Sequence, residues 1–199
     1  RAQPWRLATA VFLHLGLLHL ASNLFFQIWV GGIIERGLGK YAMMGLFASA
    51  ALAGNLLSAL LSSGTMTVGS SGALLGLIAA AAAGAADEGF RLPTLISAVM
   101  QENPALRRLE PFLARVIFGT VLIATLFGGL VMPRVDNWCH LGGSAVGLSF
   151  AAMLPGRSHG ARVAATALTL AGFGVCSWLL LAGCGDCLEA PGRIAGLLL

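Results

Sequence analysis

Two polar residues stand at the heads of glycine-striped, otherwise apolar stretches: Ser71, followed by Gly72 and Gly76, and His140, followed by Gly143 and Gly147. A serine hydroxyl is a weak nucleophile until an adjacent base takes its proton. A neutral imidazole is the usual base near physiological pH. Acyl transfer through such a pair builds an oxyanion that needs preorganised donors. His19 and Asn23 are four residues apart, so a helix places them on one face, and both can donate hydrogen bonds. Ser71 at a helix start would add free backbone N–H groups of its own. The four residues therefore cover nucleophile, base and oxyanion donors. Each also has a plainer use. A serine after Gly-Ser commonly caps a helix, and a histidine in an apolar segment commonly bonds to a neighbouring helix. It is their joint occurrence, Ser71 and His140 each heading a glycine stripe, that favours chemistry. The stretch TVGSSGALLG is not a nucleophile elbow, because Ala73 takes the place of its last glycine and the turn-rich SSGTMT, not a strand, precedes it.

Other chemistries are less well served. His14 and His19 are five apart, roughly 140° around a helix, so they do not converge on a metal, and neither a metal site nor a cofactor is expected. Cys139 and Cys176 lie in apolar segments and read as packing residues. Cys184 and Cys187 form a lone C-x-x-C, weak as a zinc site without a second pair; a local disulfide on an oxidising face stays open. Asp136, four residues before His140, falls in a turn and is given no catalytic part, so the pair is a dyad. The net charge is +4, but the cations are scattered without an aromatic or basic stripe, and no nucleic-acid partner is expected.

The elements that must position these residues are membrane helices. The chain of 199 residues is 57% hydrophobic and 10% charged, far below the roughly 25% charge of soluble domains. A bilayer core of about 30 Å takes roughly 20 apolar residues in a helix. Six spans are expected, at 11–31, 41–61, 71–86, 113–131, 138–155 and 163–182, giving an all-α polytopic transmembrane bundle. The third is short, so its neighbours must bury it or its start must lie below the membrane surface. The acidic, proline-containing stretch 87–112 reads as an exposed linker. One set of loops carries Arg36, Lys40, Arg91, Arg107, Arg108, Arg115, Arg157 and Arg162, and the other carries Arg1, Arg6, Arg134 and Arg193. The cation-rich set should be cytoplasmic, which puts the start of the third span outside or in a lumen. The small-residue stripes at Gly72 and Gly76 and at Gly143 and Gly147 should let helices touch closely. The chain begins at Arg1 with no signal-peptide pattern and is read as a piece of a longer protein.

At these residues the chain resembles the rhomboid family of intramembrane serine proteases. Four motifs occur in the family's order: Trp5-Arg6; HxxxxHxxxN at His14, His19 and Asn23; GxSG at Gly69, Ser70, Ser71 and Gly72; and HxxGxxxG at His140, Gly143 and Gly147. Glu35-Arg36 also matches an acidic position after the first helix present. The resemblance covers roughly residues 5–155. It implies a catalytic core over 1–155 whose first helix lies upstream, and, over 156–199, an extra C-terminal helix like that of secretase-type members, with a short tail. It implies Ser71 as nucleophile, His140 as general base, and an oxyanion hole built from His19, Asn23 and the Ser71 N–H. Gly69 and Gly72 would let the substrate approach the loop backbone, and Gly76, Gly143 and Gly147 would pack helices. Two departures stand out. Leu75 occupies the position, four after the nucleophile, where an aromatic ring often packs on the catalytic histidine, and Cys139 replaces a frequent alanine.

The resulting expectation is an integral, multi-pass membrane endopeptidase of the plasma membrane or secretory pathway. It would cut single-pass transmembrane substrates near the outer or lumenal end of their helices, with the lipid bilayer as its other partner. A catalytically silent relative that binds membrane clients is the alternative; such proteins typically lose the serine or the histidine. A small channel or transporter fits the intramembrane His and Asn residues but lacks paired broken helices.

Overall fold

The computed structural model describes residues 5–62, 67–85, 103, 109–131 and 135–182, and among them every regular element is helical. A short helix α1 (Arg6–Thr9) and a 3-10 turn (Ala10–Phe12) precede α2 (Leu17–Leu38). Then follow α3 (Lys40–Leu61), α4 (Ser71–Ala80), α5 (Glu110–Val131), α6 (Asn137–Met153) and α7 (His159–Ala182). Among the described residues, four stretches are long and apolar enough to cross a membrane: Leu17–Leu38, Lys40–Leu61, Pro111–Gly129 and His159–Leu179. The expected count of six is therefore not met by length. The apolar helix Ser71–Gly84 is shorter, and α6 has 17 residues, about 25 Å at 1.5 Å per residue. Most of the expected linker 87–112 and the Cys184/Cys187 pair lie outside the described residues.

The first span is displaced from its expected 11–31 window. Gly16 sits at φ 104° and breaks the chain just before Leu17, so His14 precedes the helix and does not lie on it. At the other end the glycine pair Gly31-Gly32 does not stop the helix. A π-helical turn over Gln27–Gly31 carries it through to Leu38, and Gly39 at φ 86° ends it. Glu35 and Arg36 thus belong to α2 itself. Positive φ costs glycine little, which is why both breaks fall on glycine. His159 is the first residue of α7.

Helix α4 is the centre of the bundle. Every residue from Gly72 to Ala80 is buried, in keeping with a helix apolar on all faces. It packs most extensively on α6 and α3, and its C-terminal end on α5. That end widens into a π-helical turn, Ala81–Ala85, broken by Gly84 at φ 102°. Arg157 Nη2, from the turn after α6, donates to the freed Ala83 carbonyl at 2.7 Å. The core continues through Val30, Ile33 and Ile34 of α2, Leu46 of α3 and Phe118 of α5. Large apolar side chains such as Phe25, Ile28, Met44, Phe127 and Leu168 point outward, an arrangement that suits hydrocarbon better than water.

The tightest contact is between α4 and α6. A Cβ placed on Gly143 would overlap the Gly72 carbonyl oxygen, and one on Gly147 would overlap that of Gly76. In return, a Cβ on Gly76 would lie 2.9 Å from the Gly143 oxygen. Backbone meets backbone over two turns, the geometry that small residues permit between membrane helices. Cys139 fills the space beside this seam: its Sγ would be 2.6 Å from a Cβ on Gly72 and 3.1 Å from one on Gly54. Gly147→Ala is expected to cost about 3 kcal/mol or more, since a carbonyl cannot yield as a side chain can. Gly160→Ala, where a Cβ meets nothing within 4 Å, is expected to change stability by no more than about 1 kcal/mol, in the stabilising direction. Thermal unfolding of the two variants in detergent checks the contrast.

Candidate active site

Ser71 is the first residue of α4, and Ser70 before it makes no side-chain cap. The serine pair therefore does not do the capping work that Gly-Ser-Ser suggests. The Ser71 Oγ instead lies 3.0 Å from Nε2 of His140, in the first turn of α6. The sequence separation of 69 residues is bridged by the glycine seam that begins one residue after Ser71. His140 is buried and Ser71 half-buried. The His140 Nδ1 has no hydrogen-bond partner, so no carboxylate is bonded to the far side of the ring. With Oγ–H donating to Nε2, the ring proton resides on Nδ1. The helix backbone fixes the rest of the residue: His140 N–H donates to the Asp136 carbonyl at 3.2 Å, and its carbonyl accepts from Ser144 Oγ at 2.7 Å.

His19 and Asn23 come together on α2 as their spacing requires, and both crowd Gly69, two residues ahead of Ser71. A Cβ on Gly69 would lie 2.8 Å from His19 Cε1, 3.0 Å from its Nε2 and 3.2 Å from Asn23 Nδ2. Gly69 also has φ 104°, so both its conformation and its surroundings demand glycine. The loop is tied down from the other side by Gly69 N–H donating to the Ala10 carbonyl at 3.0 Å. The Leu15 N–H donates to His19 Nδ1 at 3.2 Å. An accepting Nδ1 carries no proton, so in the neutral ring the proton is on Nε2, the nitrogen that faces Gly69. Asn23 is buried and its Nδ2 has no partner. An unpaired buried amide donor costs about 1–3 kcal/mol. Two N–H donors, one demonstrably unspent, thus converge beside the loop that leads into Ser71.

The other sequence-derived residues fall around this centre. Trp5 and Arg6 open the short segment α1, which Asn55 of α3 holds by donating from Nδ2 to the Leu7 carbonyl at 2.6 Å. His14 stacks edge-on against His19, ring centroids 5.2 Å apart, with its Nε2 unpartnered. Gly72, Gly76, Gly143 and Gly147 form the seam. Leu75 is buried in the main apolar cluster. Two polar residues near the site were not foreseen: Ser58 and Thr67. Nothing in their spacing marks them. Asp136, dismissed as a turn residue, is the N-cap of α6, accepting from Cys139 N–H at 3.1 Å. An aspartate just ahead of an apolar helix is a recognisable cap signal.

Geometry of this kind offers a hydroxyl with a base in reach and donors for an anion close by. A ¹⁵N-histidine spectrum of the folded protein at neutral pH should show His19 as the Nε2–H tautomer; a Nδ1–H signal for His19 would remove it from the donor set.

The comparisons with known proteins point the same way. A family model described as the rhomboid domain matches residues 1–157. Over 150 residues the chain is 33% identical to Rhomboid-like protease 1 of Toxoplasma gondii, across 75% of this chain and 46% of that protein. It is 33% identical over 145 residues to RHOMBOID-like protein 6, mitochondrial, of Arabidopsis thaliana, across 73% of this chain and 42% of the relative. RHOMBOID-like protein 1 of the same plant is 30% identical over 145 residues, across 73% and 33%. The chain spans less than half the length of these curated relatives.

Proposed function

This chain is an integral membrane protein of the rhomboid family, and from that premise we propose that it is an intramembrane serine endopeptidase working through a Ser71–His140 dyad. The observation that carries the proposal is the 3.0 Å approach of Ser71 Oγ to His140 Nε2. In the proposed reaction Nε2 takes the Oγ proton as the oxygen bonds to the scissile carbonyl carbon. The carbonyl oxygen becomes an oxyanion, held by the Asn23 amide, the His19 Nε2–H and the Ser71 backbone N–H. Collapse breaks the C–N bond while the imidazolium returns its proton to the leaving amine. Water then gives a proton to Nε2 as its oxygen bonds to the acyl carbon, and collapse breaks the C–Oγ bond while the imidazolium returns the proton to Oγ, which releases the new carboxyl end and free Ser71.

The proposed substrate is a single-pass transmembrane helix. Its peptide bonds are shielded while helical, so it must unwind locally beside Gly69. In this reading all six helices lie within the bilayer, the two short ones buried by the four long ones. The third span starts below the outer surface, which is tolerable for irregular backbone that lines protein or water. The cation-rich loops face the cytoplasm, so cleavage falls toward the outer or lumenal end of the substrate, and α7 is the extra helix of secretase-type members.

Ser71→Ala and His140→Ala are each expected to lower cleavage of a helix-containing reporter by at least about 10³-fold. A fluorophosphonate probe should label the unmodified protein and not Ser71→Ala. Full cleavage by Ser71→Ala would sink the proposal, and a folded wild-type chain that neither cleaves nor labels would favour client binding instead. Asn23→Ala is expected to lower kcat by roughly 10²- to 10³-fold, as loss of one oxyanion donor does, with KM little changed.

A further inference from the structure

The carboxylate of Asp136 does more than cap a helix. Its Oδ1 accepts from Cys139 N–H at 3.1 Å. Its Oδ2 accepts from the hydroxyls of Ser58 and Thr67, which are themselves 2.6 Å apart. Ser58 belongs to α3 and is buried, at 3% exposure. Thr67 lies four residues before Ser71, and Asp136 lies four residues before His140. One side chain therefore grips the chain one short step ahead of the nucleophile and one helical turn ahead of the base, and fastens both to α3.

A cap alone needs only one carboxylate oxygen. The second is committed to two hydroxyls from two other elements. Meanwhile nothing bonds to the His140 Nδ1, so the ring's position follows from where the start of α6 sits. Likewise the position of Ser71 follows from its loop, whose described ties beyond α2 are Gly69 to Ala10 and Thr67 to Asp136 and Ser58.

We propose that Asp136 is a positioning residue: with Ser58 and Thr67 it forms a clamp that sets the separation of Ser71 Oγ and His140 Nε2. Asp136 itself touches neither substrate nor reacting atoms. The proposal rests on the protease reading above and deepens it.

The test measures kcat and KM for a helical reporter with the protein in liposomes, alongside fluorophosphonate labelling and thermal unfolding. Ser58→Ala with Thr67→Val keeps the cap but cuts the links between elements. It should lower kcat roughly 10- to 100-fold, the scale of a small misplacement of reacting groups, with KM within about twofold. Asp136→Ser, which keeps a capping oxygen but is too short to hold both hydroxyls, should fall in the same range. Joined to the Ser58/Thr67 pair it should add little, because all three act through one contact. Thr67→Ser, which restores the hydroxyl, should turn over like the wild type. If the Ser58/Thr67 double variant does not fold, the contrast of Thr67→Val with Thr67→Ser carries the same comparison. Wild-type kcat in the folded variants, or losses that multiply independently, would reduce Asp136 to a cap and overturn the proposal. An unmodified protein that neither cleaves nor labels overturns the protease reading and the clamp's catalytic role together, a result distinct from an active enzyme indifferent to the clamp.

Discussion

The structure turns on two helix backbones touching with no side chain between them. The carbonyl oxygens of Gly72 and Gly76 occupy the places where Gly143 and Gly147 would otherwise carry a Cβ. Side chains in a seam can change rotamer and let helices slide or roll, whereas carbonyls cannot. The contact therefore fixes depth and rotation of α4 against α6 together. Ser71 stands one residue before this seam on α4, and His140 stands three before it on α6. Their 3.0 Å approach is inherited from the backbone contact and needs no long side chain to reach across. The short central helix follows from the same constraint. It has no face left for lipid, because α3 and α6 cover it along most of its length.

Polar groups in such a bundle are expensive unless paired, and most described ones are paired. Asn55 holds α1, Ser144 bonds back within its own helix, and Arg157 covers the carbonyl freed by the break at Gly84. The buried atoms left without partners include Asn23 Nδ2, His14 Nε2 and His140 Nδ1. All three belong to the site or to the ring stacked against it. Of these, Asn23 Nδ2 is an unspent donor beside the loop that leads into Ser71, where the proposed oxyanion would form.

Much of this was legible in the sequence, for physical reasons that can be named. A helix period of 3.6 makes His19 and Asn23 neighbours, and two glycines four apart mark a face that can meet another backbone. These are local rules, and the site residues they select do meet. The long-range approach of Ser71 and His140 could be anticipated only because each heads such a face. Length rules did less well. Windows of apolar residues suggested six spans, but they could not see that Gly16 breaks the chain while Gly31 and Gly32 do not. A glycine stops a helix only where the chain takes up positive φ, which Gly16 and Gly39 do. The links of Ser58 and Thr67 to Asp136 span 78 and 69 residues and carry no periodic trace.

Leu75 raised a question from sequence: what orients the proposed base when no aromatic ring can stack on it? Leu75 is packed into the apolar core, so orientation must come from the helix that bears His140. A histidine in the first turn of a helix is only as well placed as that turn, and first turns fray when their N–H groups go unsatisfied. Here the turn is capped by Asp136, tied by that residue to α3 and to the loop before Ser71, and pressed at its next turn against Gly72. The load that a stacked ring would bear on the imidazole is thus carried one step back, at the backbone. The imidazole keeps its Nδ1 unbonded, so in the proposed reaction the ring would follow a proton from Oγ to a leaving amine without breaking a second hydrogen bond.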